Sequence, residues 1–154
     1  MTVVSSPTVG PSELNLPTEA VARPISSVNW TSQVLADLER FHALLIGPGL
    51  GADPETLAAT AELIERAPIP VVVDADALTA IAAHPNCIKG RSAPTILTPH
   101  DGEFKTLTGA QPGLDRCSSV RSAARRSIVL LKGPTTLVAN PDGELIFVRS
   151  GDQR

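Results

Sequence analysis

The 154-residue sequence predicts an α/β fold, with a mostly parallel sheet flanked by helices and an antiparallel hairpin at its late edge. Short apolar runs bounded by Gly, Pro or Asp alternate with segments whose apolar residues recur at helical spacing. This alternation is typical of parallel strands joined by crossover helices. Two later apolar runs flank residues 140–143 (Asn-Pro-Asp-Gly), which is a hairpin signal.

The N-terminal residues differ from the rest of the chain. Residues 1–28 are rich in Ser, Pro and Thr and show no sustained period, so they are expected to form a loop or tail that allows one short extended piece. From residue 29 onward the sequence predicts one domain. Its first helix runs from Trp30 to about Phe41, with Asn29 or Thr31 available as a cap.

The remaining elements are predicted from apolar runs and from helix start and stop signals. The apolar runs at 43–46 and 71–74 suit buried strands, the first of them buried on both faces. A helix begins at Asp53-Pro54-Glu55 and ends before Pro68, because Asp is a good cap and Pro fits the first helical position. Further strands are predicted at 95–98, 128–132, 136–139 and 144–148, and further helices at 75–83, 103–108 and 119–127.

Composition and charge exclude several classes of protein. The net charge of −3 argues against a protein that binds nucleic acid, and no apolar run approaches the roughly 20 residues of a membrane span. The first ten residues lack the features of a secretory signal. Cys87 and Cys117 fit no metal-binding spacing and are interpreted as reduced thiols. These observations predict a soluble, cytoplasmic protein.

The candidate site residues follow four predicted strands. In an open α/β sheet, ligands bind at the carboxyl ends of the strands, so the residues just after each apolar run are the place to look. These residues are unusually polar or Gly-rich, and they are residues 47–51 (Gly-Pro-Gly-Leu-Gly), 74–76 (Asp-Ala-Asp), 98–103 (Thr-Pro-His-Asp-Gly-Glu) and 132–136 (Lys-Gly-Pro-Thr-Thr).

The first two of these segments each allow two interpretations. The glycines of 47–51 allow a ligand or another backbone to approach closely, or the segment is an ordinary strand-to-helix turn. It is not a phosphate-binding P-loop, because no Lys-Ser or Lys-Thr follows. Asp74 suits a sugar hydroxyl or a hydrated Mg²⁺. Asp76 suits the same partners or caps the next helix.

The other two segments carry a histidine and a lysine. His100 is interpreted as a ligand contact, with a structural His as the alternative. Glu103 has a strong alternative as an acid that complements the helix dipole. A metal site made of His100, Asp101 and Glu103 matches no familiar spacing and is discounted. Lys132 suits a phosphate, although a β-turn with a solvated Lys is the alternative. Arg121, Arg125 and Arg126 are interpreted as a solvated helix face.

Taken in order, these motifs resemble those of the ADP/ATP-dependent NAD(P)H-hydrate dehydratases, a branch of the ribokinase-like superfamily. The resemblance covers roughly residues 35–154 and includes the segments 47–51, 74–78, 97–104, 131–135 and 140–143. It implies repair of hydrated NADH or NADPH, which is phosphorylated by ADP or ATP, with Mg²⁺, and then loses phosphate.

The resemblance also implies roles for individual residues. The hydrated dinucleotide would be contacted by Gly49, Gly51 and His100, and Asp74 would lie near the phosphoryl-transfer centre. The ADP or ATP would be contacted by Lys132, Gly133, Pro134, Thr135 and Thr136. No catalytic residue is assigned.

The sequence departs from the family pattern in two places. Family members continue into a Gly-Thr-Gly-Asp turn that supplies backbone donors for the phosphate and an Asp base, and they carry an early strand–loop–helix region rich in Gly and Ala. Neither is found in these 154 residues. We therefore expect very low or no turnover from this chain alone, since stabilising phosphoryl charge is most of the catalysis in this class.

Two alternatives remain at the level of sequence. One is a ribokinase-like kinase that phosphorylates a vitamin precursor, and the other is a non-catalytic remnant that binds nucleotide. Missing strands would leave exposed sheet edges, which favour association of chains, so a homo-oligomer is a further hypothesis.

Overall fold

The structure, a computed structural model, describes residues 2–7 and 16–149. The helices are α1 (Trp30–Asp37, extended by a 3₁₀ turn at Leu38–Arg40), α2 (Pro54–Arg66), α3 (Asp76–Ala83), α4 (Asp101–Thr108) and α5 (Arg116–Ala123). The strands are β1 (Thr2–Val4), β2 (Ala20–Ala22), β3 (Leu44–Ile46), β4 (Val71–Val73), β5 (Thr95–Leu97), β6 (Ile128–Leu131), β7 (Thr136–Ala139) and β8 (Leu145–Val148). Within the described ranges, no helix has both the length and the apolar character needed to cross a bilayer.

The main sheet has six strands in the order β3-β4-β5-β6-β7-β8. The first four run parallel, and β7 and β8 are antiparallel to their neighbours. The predicted fold class is therefore confirmed, including the hairpin at the late edge. The connection between β7 and β8 turns at Gly143, which has a φ of 85°, and the Asn140 backbone N–H donates to the Glu144 carbonyl across it.

The order of the parallel strands explains where the core lies. Crossovers between parallel strands are right-handed, so strands added in one direction place their helices on one face of the sheet. Buried side chains from α1 to α5 join a single hydrophobic cluster with buried residues of β3 to β7. That cluster includes Leu63, Ile64, Leu78, Phe104, Val120, Val73, Leu97, Val129, Leu131 and Leu137.

The opposite face of the sheet is apolar but much less buried. In β4, Val71 and Val73 are fully buried, whereas Val72 between them is only partly buried. Leu45 on the edge strand β3 is 65% exposed. The prediction that the strand at 43–46 is buried on both faces is therefore wrong. A short apolar run does not reveal whether its strand lies at the edge of a sheet.

The starts of α1 and α2 lie where the sequence predicted them. α2 begins as predicted, because the Asp53 side chain accepts a hydrogen bond from the Thr56 N–H at 3.0 Å and Pro54 is the first helical residue. α1 begins after Asn29 as expected, but that residue has a φ of 56° and its side chain makes no capping hydrogen bond.

Two helices begin earlier than predicted, each because of a capping side chain. α4 starts at Asp101 rather than Glu103, since His100 caps it. α5 starts at Arg116 rather than at residue 119, since the Asp115 carboxylate accepts from the Ser118 N–H at 3.0 Å.

The N-terminal segment contains more structure than a tail. β1 and β2 pair in parallel, with Val3 opposite Val21. The sequence allowed one extended piece there, and the structure has two. Residues 1, 8–15 and 150–154 lie outside the described residues, and the predicted boundary at residue 28 stays a prediction.

Arg91 joins α2, the chain that follows it and β5. Its guanidinium donates to the carbonyls of Ile64 and Ala67 at the end of α2, the second at 2.8 Å, and to the Ile69 carbonyl at 2.9 Å. Its Nε–H also donates to the Thr95 hydroxyl at 2.8 Å. These carbonyls include groups that a helix end leaves without partners. The arginine therefore satisfies the junction between the helical layer and the sheet.

We predict that Arg91→Met lowers the free energy of unfolding by about 2–3 kcal/mol, because several partly buried carbonyls lose their donor together. Urea unfolding followed by circular dichroism measures the change. The matched control is Arg66→Met, whose exposed ion pair with Glu62 is expected to contribute about 0.5 kcal/mol or less. Equal losses in the two variants would contradict this role for Arg91.

Candidate functional site

The carboxyl ends of β3, β4, β5 and β6 meet at one edge of the sheet, called here the rim. Backbone hydrogen bonds continue the sheet into the loops that follow. Asp74 N–H donates to the Ile46 carbonyl at 3.0 Å, Thr98 N–H to the Val73 carbonyl at 3.1 Å, and Lys132 N–H to the Pro99 carbonyl at 2.8 Å. The four segments singled out in the sequence therefore lie side by side.

The glycines after β3 have two different reasons to be glycine. A Cβ on Gly47 would lie 1.7 Å from the carbonyl oxygen of Asp74, so the close approach there is to another backbone. Gly49 and Gly51 instead have φ values of 74° and 87°, which side chains adopt only with strain. Among the described residues other than Gly49 and its chain neighbours, no heavy atom lies within 4 Å of a Cβ built on Gly49. Gly47 is thus structural, whereas the glycines at 49 and 51 are required by the backbone conformation of the loop.

Asp76 connects this loop to the start of α3. Its Oδ2 accepts a hydrogen bond from the Gly51 N–H at 2.9 Å. The alternative that Asp76 caps α3 is wrong, because Asp76 is the first helical residue and Ala75 occupies the cap position without a capping side chain. Ala75 has a φ of 48°, a strained value of the kind that often accompanies functional sites.

Lys132 carries the main ion pair of the rim. Its Nζ lies 2.8 Å from Asp74 Oδ1 and 3.6 Å from Glu103 Oε2. Partial burial alone would raise the pKa of the Asp74 carboxyl. Hydrogen bonds from Lys132 and Thr98 together with the Lys132 charge outweigh that burial, so the pKa lies below its usual value. Lys132 is therefore ion-paired rather than only solvated, although 39% of its side chain is exposed.

His100 caps α4 through one ring nitrogen and presents the other. Its Nδ1 accepts from the backbone N–H groups of Gly102 at 2.9 Å and Glu103 at 3.2 Å. Glu103 completes a capping box by accepting from the His100 N–H at 2.8 Å. An accepting Nδ1 assigns the proton to Nε2, which lies 3.5 Å from Glu103 Oε1, and the His100 side chain is 59% exposed. The expected helix role of Glu103 is confirmed, and the other ring nitrogen of His100 lies on the exposed side of the turn.

Arg116 is a rim residue that the sequence analysis missed. Its guanidinium donates to both oxygens of Asp101 at 2.8 Å and to the Lys132 carbonyl at 3.3 Å. These hydrogen bonds and the arginine charge hold the pKa of Asp101 below its usual value. The predicted helix began three residues too late, which left Arg116 in a loop. The N-cap residue Asp115 was the signal that could have placed it on α5.

The candidate nucleotide-binding residues form the turn between β6 and β7 together with Thr136, the first residue of β7. Gly133 and Pro134 are exposed, and Thr135 and Thr136 are partly buried. A Cβ on Gly133 would lie 2.9 Å from the Arg116 guanidinium, which therefore packs directly against this turn.

Other features lie away from the rim. A hollow of about 360 Å³ lies between the C-terminal ends of α2 and α3, which is the opposite end of the sheet. Burial, and then the charge of Glu65, raise the pKa of the Cys87 thiol in this hollow to about 11, so the thiol is inert.

Arg121 is not simply solvated, because it donates to the Gly143 carbonyl at 3.1 Å. Arg125 and Arg126 are exposed as expected, but α5 ends at Ala123, so they follow the helix and do not form part of its face.

Comparison with known proteins gives a consistent result. The family model described as NAD(P)H-hydrate dehydratase matches residues 7–154, so the match extends into the N-terminal segment that the sequence analysis left aside. The bifunctional NAD(P)H-hydrate repair enzyme Nnr of Mycobacterium tuberculosis (strain H37Rv) is 46% identical over 114 residues, which are 73% of this chain and 24% of that protein. The Nnr of Moorella thermoacetica is 40% identical over 124 residues, which are 77% of this chain and 23% of that protein.

A solved structure shares the fold. The ADP/ATP-dependent NAD(P)H-hydrate dehydratase from Bacillus subtilis, co-crystallised with ATP/Mg²⁺ and soaked with CoA, aligns with a TM-score of 0.66 and 28% identity. The alignment covers 87% of this chain and 48% of that one. The chain thus spans about a quarter of the length of the curated relatives and about half of this solved structure.

We predict that Lys132→Met raises the pKa of Asp74 above its value in the unsubstituted chain, because burial persists while the hydrogen bond and the charge are lost. In the unsubstituted chain the lowered pKa stabilises the fold above the unfolded pKa of about 3.9, and this stabilisation is lost as the pH falls through the folded value. The variant should lose much of it. Carboxyl ¹³C NMR titration measures the pKa of Asp74 in both proteins. Lys105→Met, at an exposed position on α4, is the control, and an unchanged Asp74 titration in Lys132→Met would refute the assignment.

Proposed function

Because the chain belongs to the NAD(P)H-hydrate dehydratase family, we propose that its rim binds hydrated NADH or NADPH together with ADP or ATP. The proposed reaction is the ADP/ATP-dependent dehydration that restores the reduced cofactor. The observation that carries the proposal is the contact of Lys132 with Asp74 and Glu103. This contact joins the turn suited to phosphates with the loops suited to the dinucleotide.

The proposed dinucleotide side comprises the loop after β3 and the turn before α4. At Gly49, the absence of a side chain lets a ligand approach the backbone of this loop closely. Asp74 offers carboxylate oxygens to a hydroxyl, and its lowered pKa keeps it ionised at neutral pH. His100 offers its Nε2–H as a donor while Nδ1 stays engaged with α4. Gly51 is held in place through its hydrogen bond to Asp76.

The proposed nucleotide side is the turn at 132–136. Lys132 supplies the positive charge for a phosphate, and Gly133, Pro134, Thr135 and Thr136 line the nucleotide. The Asp74 and Glu103 carboxylates already surround the ammonium group. An incoming phosphate therefore competes with them for a cation that is already placed at the centre of the rim.

Mg²⁺ fits this site only as a companion of the nucleotide. Among the described residues, no group of three or more His, Cys, Asp or Glu side chains could hold a metal ion. Mg²⁺ commonly binds through one or two carboxylates together with substrate phosphates, and Asp74 and Glu103 are the carboxylates next to Lys132. When bound there, the ion would neutralise phosphate charge.

The chemistry explains why a nucleotide is needed to remove water. Hydroxide is a poor leaving group, so the ring hydroxyl first accepts a phosphoryl group from ADP or ATP. The carbon–oxygen bond then breaks, the ring nitrogen lone pair forms an iminium ion, and phosphate leaves. Loss of a proton from the neighbouring carbon restores the carbon–carbon double bond. The rim residues bind and orient the two partners, and we assign the base that deprotonates the hydroxyl to none of them.

The direct test measures the binding and turnover of hydrated NADPH by this chain. We expect measurable dissociation constants for hydrated NADPH and for ADP, with very low release of phosphate and NADPH. Hydroxymethylpyrimidine with ATP is the comparison substrate. Its phosphorylation without binding of hydrated NADPH would replace the proposal with the vitamin-precursor kinase, and nucleotide binding alone would favour the non-catalytic alternative. Turnover comparable to that of a complete dehydratase would contradict the expected low rate.

We predict that His100→Asn separates the two roles of this residue. Asn supplies a capping oxygen, so the free energy of unfolding should change by about 0.5 kcal/mol or less. The Nε2–H donor is lost, so the dissociation constant for hydrated NADPH should rise about tenfold, the equivalent of one hydrogen bond of about 1.4 kcal/mol. Calorimetric titration measures binding, and the dissociation constant for ADP serves as the internal control.

His100→Ala is the matched variant. It removes the cap as well as the donor, and should cost about 1 kcal/mol of stability in addition to the same loss of affinity. An unchanged affinity of His100→Asn for hydrated NADPH would show that His100 only caps α4.

A further inference from the structure

Arg116 connects the two sides of the rim from a third element. It is the first residue of α5, and its guanidinium holds Asp101, the first residue of α4, through two hydrogen bonds of 2.8 Å. His100 is the neighbour of Asp101 and caps the same helix. The position of Arg116 is therefore tied to the turn that presents His100.

The same guanidinium also holds the other side. Its Nη2 donates to the Lys132 carbonyl at 3.3 Å, and it packs so closely on Gly133 that a Cβ there would lie 2.9 Å from it. One planar group therefore contacts the start of α4 and the turn between β6 and β7. The Arg116 side chain is only 28% exposed, compared with 51% for Asp101.

We propose that Arg116 is a positioning residue that couples the two ligands. By fixing the separation between the α4 turn and the 132–136 turn, it makes each ligand bind more tightly when the other is present. The inference rests on the proposed function, because it assigns the dinucleotide to one turn and the adenine nucleotide to the other. It is independent of which residue acts as the base.

The shape of the side chain is what the role requires. A guanidinium presents several N–H donors in a fixed plane, so it can hold a carboxylate with two bonds and reach a carbonyl with a third. A lysine ammonium keeps the charge but cannot reproduce this arrangement. Arg116→Lys therefore removes the geometric link and preserves the net charge of the rim.

The experiment measures coupling rather than affinity alone. The probes are NADPH, the reaction product, and an ATP analogue with a non-hydrolysable β,γ-imido bridge, so that no turnover occurs. The dissociation constant of each is measured by calorimetry with and without a saturating amount of the other. In the unsubstituted chain we expect each probe to tighten the other fivefold or more, a typical strength for coupled sites.

Arg116→Lys is expected to reduce this coupling to less than twofold. Arg121→Lys is the matched control, because it lies on the same helix and contacts the distant Gly143 carbonyl, and its coupling should equal that of the unsubstituted chain. Asp101→Asn breaks the other end of the contact and should lose the coupling as well. Because the two substitutions break the same contact, the double variant should lose no more coupling than either single variant.

The outcomes separate the two proposals. Binding of both probes with coupling retained in Arg116→Lys and in Asp101→Asn would overturn the role of Arg116 and leave the proposed function standing. Binding of both probes without coupling in the unsubstituted chain would have the same meaning. If the unsubstituted chain binds neither probe, the proposed function is overturned, and the inference with it. Unfolding of Arg116→Lys alone would leave Asp101→Asn to decide.

Discussion

The parallel pairing of β3, β4, β5 and β6 in chain order brings the loops that follow these strands to a single edge of the sheet. Backbone hydrogen bonds join each loop to the neighbouring strand or loop. The distance between adjacent loops is therefore set by the spacing of strands, about 4.8 Å. The same order places the described helices together on one face. The rim and the one-sided core are thus two results of one topological constraint.

The cations described at the rim are paired with carboxylates. Two carboxylates, Asp74 and Glu103, surround the Lys132 ammonium group, and Arg116 neutralises Asp101 nearby. The N-terminal ends of helices α3 and α4 also lie at the rim, and they contribute the positive ends of two helix dipoles. Each acidic side chain described here also makes hydrogen bonds that fix its position. The rim therefore combines a defined shape with groups that can exchange their partners for a phosphate or a hydroxyl.

Sequence patterns predicted what depends on neighbouring residues. The Asp53-Pro54 start of α2 and the hairpin at 140–143 were found because a cap or a tight turn is encoded within a few positions. The four rim segments were found because strand ends are visible as apolar runs followed by polar residues or Gly.

Contacts between distant parts of the chain were not visible in the same way. Arg116 reaches Asp101 across 15 residues, and Arg91 reaches the Ile64 carbonyl across 27. Neither spacing has a local signature. The exposure of Leu45 likewise depends on the position of β3 at the edge of the sheet. These features depend on the packed structure, so one sequence without its fold does not reveal them.

The contact between Gly47 and the Asp74 carbonyl has a consequence for redesign of the rim. No substitution at Gly47 can be accommodated without separating β3 from β4, since even a methyl group would overlap that oxygen. A library of variants should therefore leave position 47 fixed. At Gly49, where the described residues beyond its chain neighbours place no heavy atom within 4 Å of a Cβ, a substitution meets the strain of a φ of 74° but leaves the strand spacing intact.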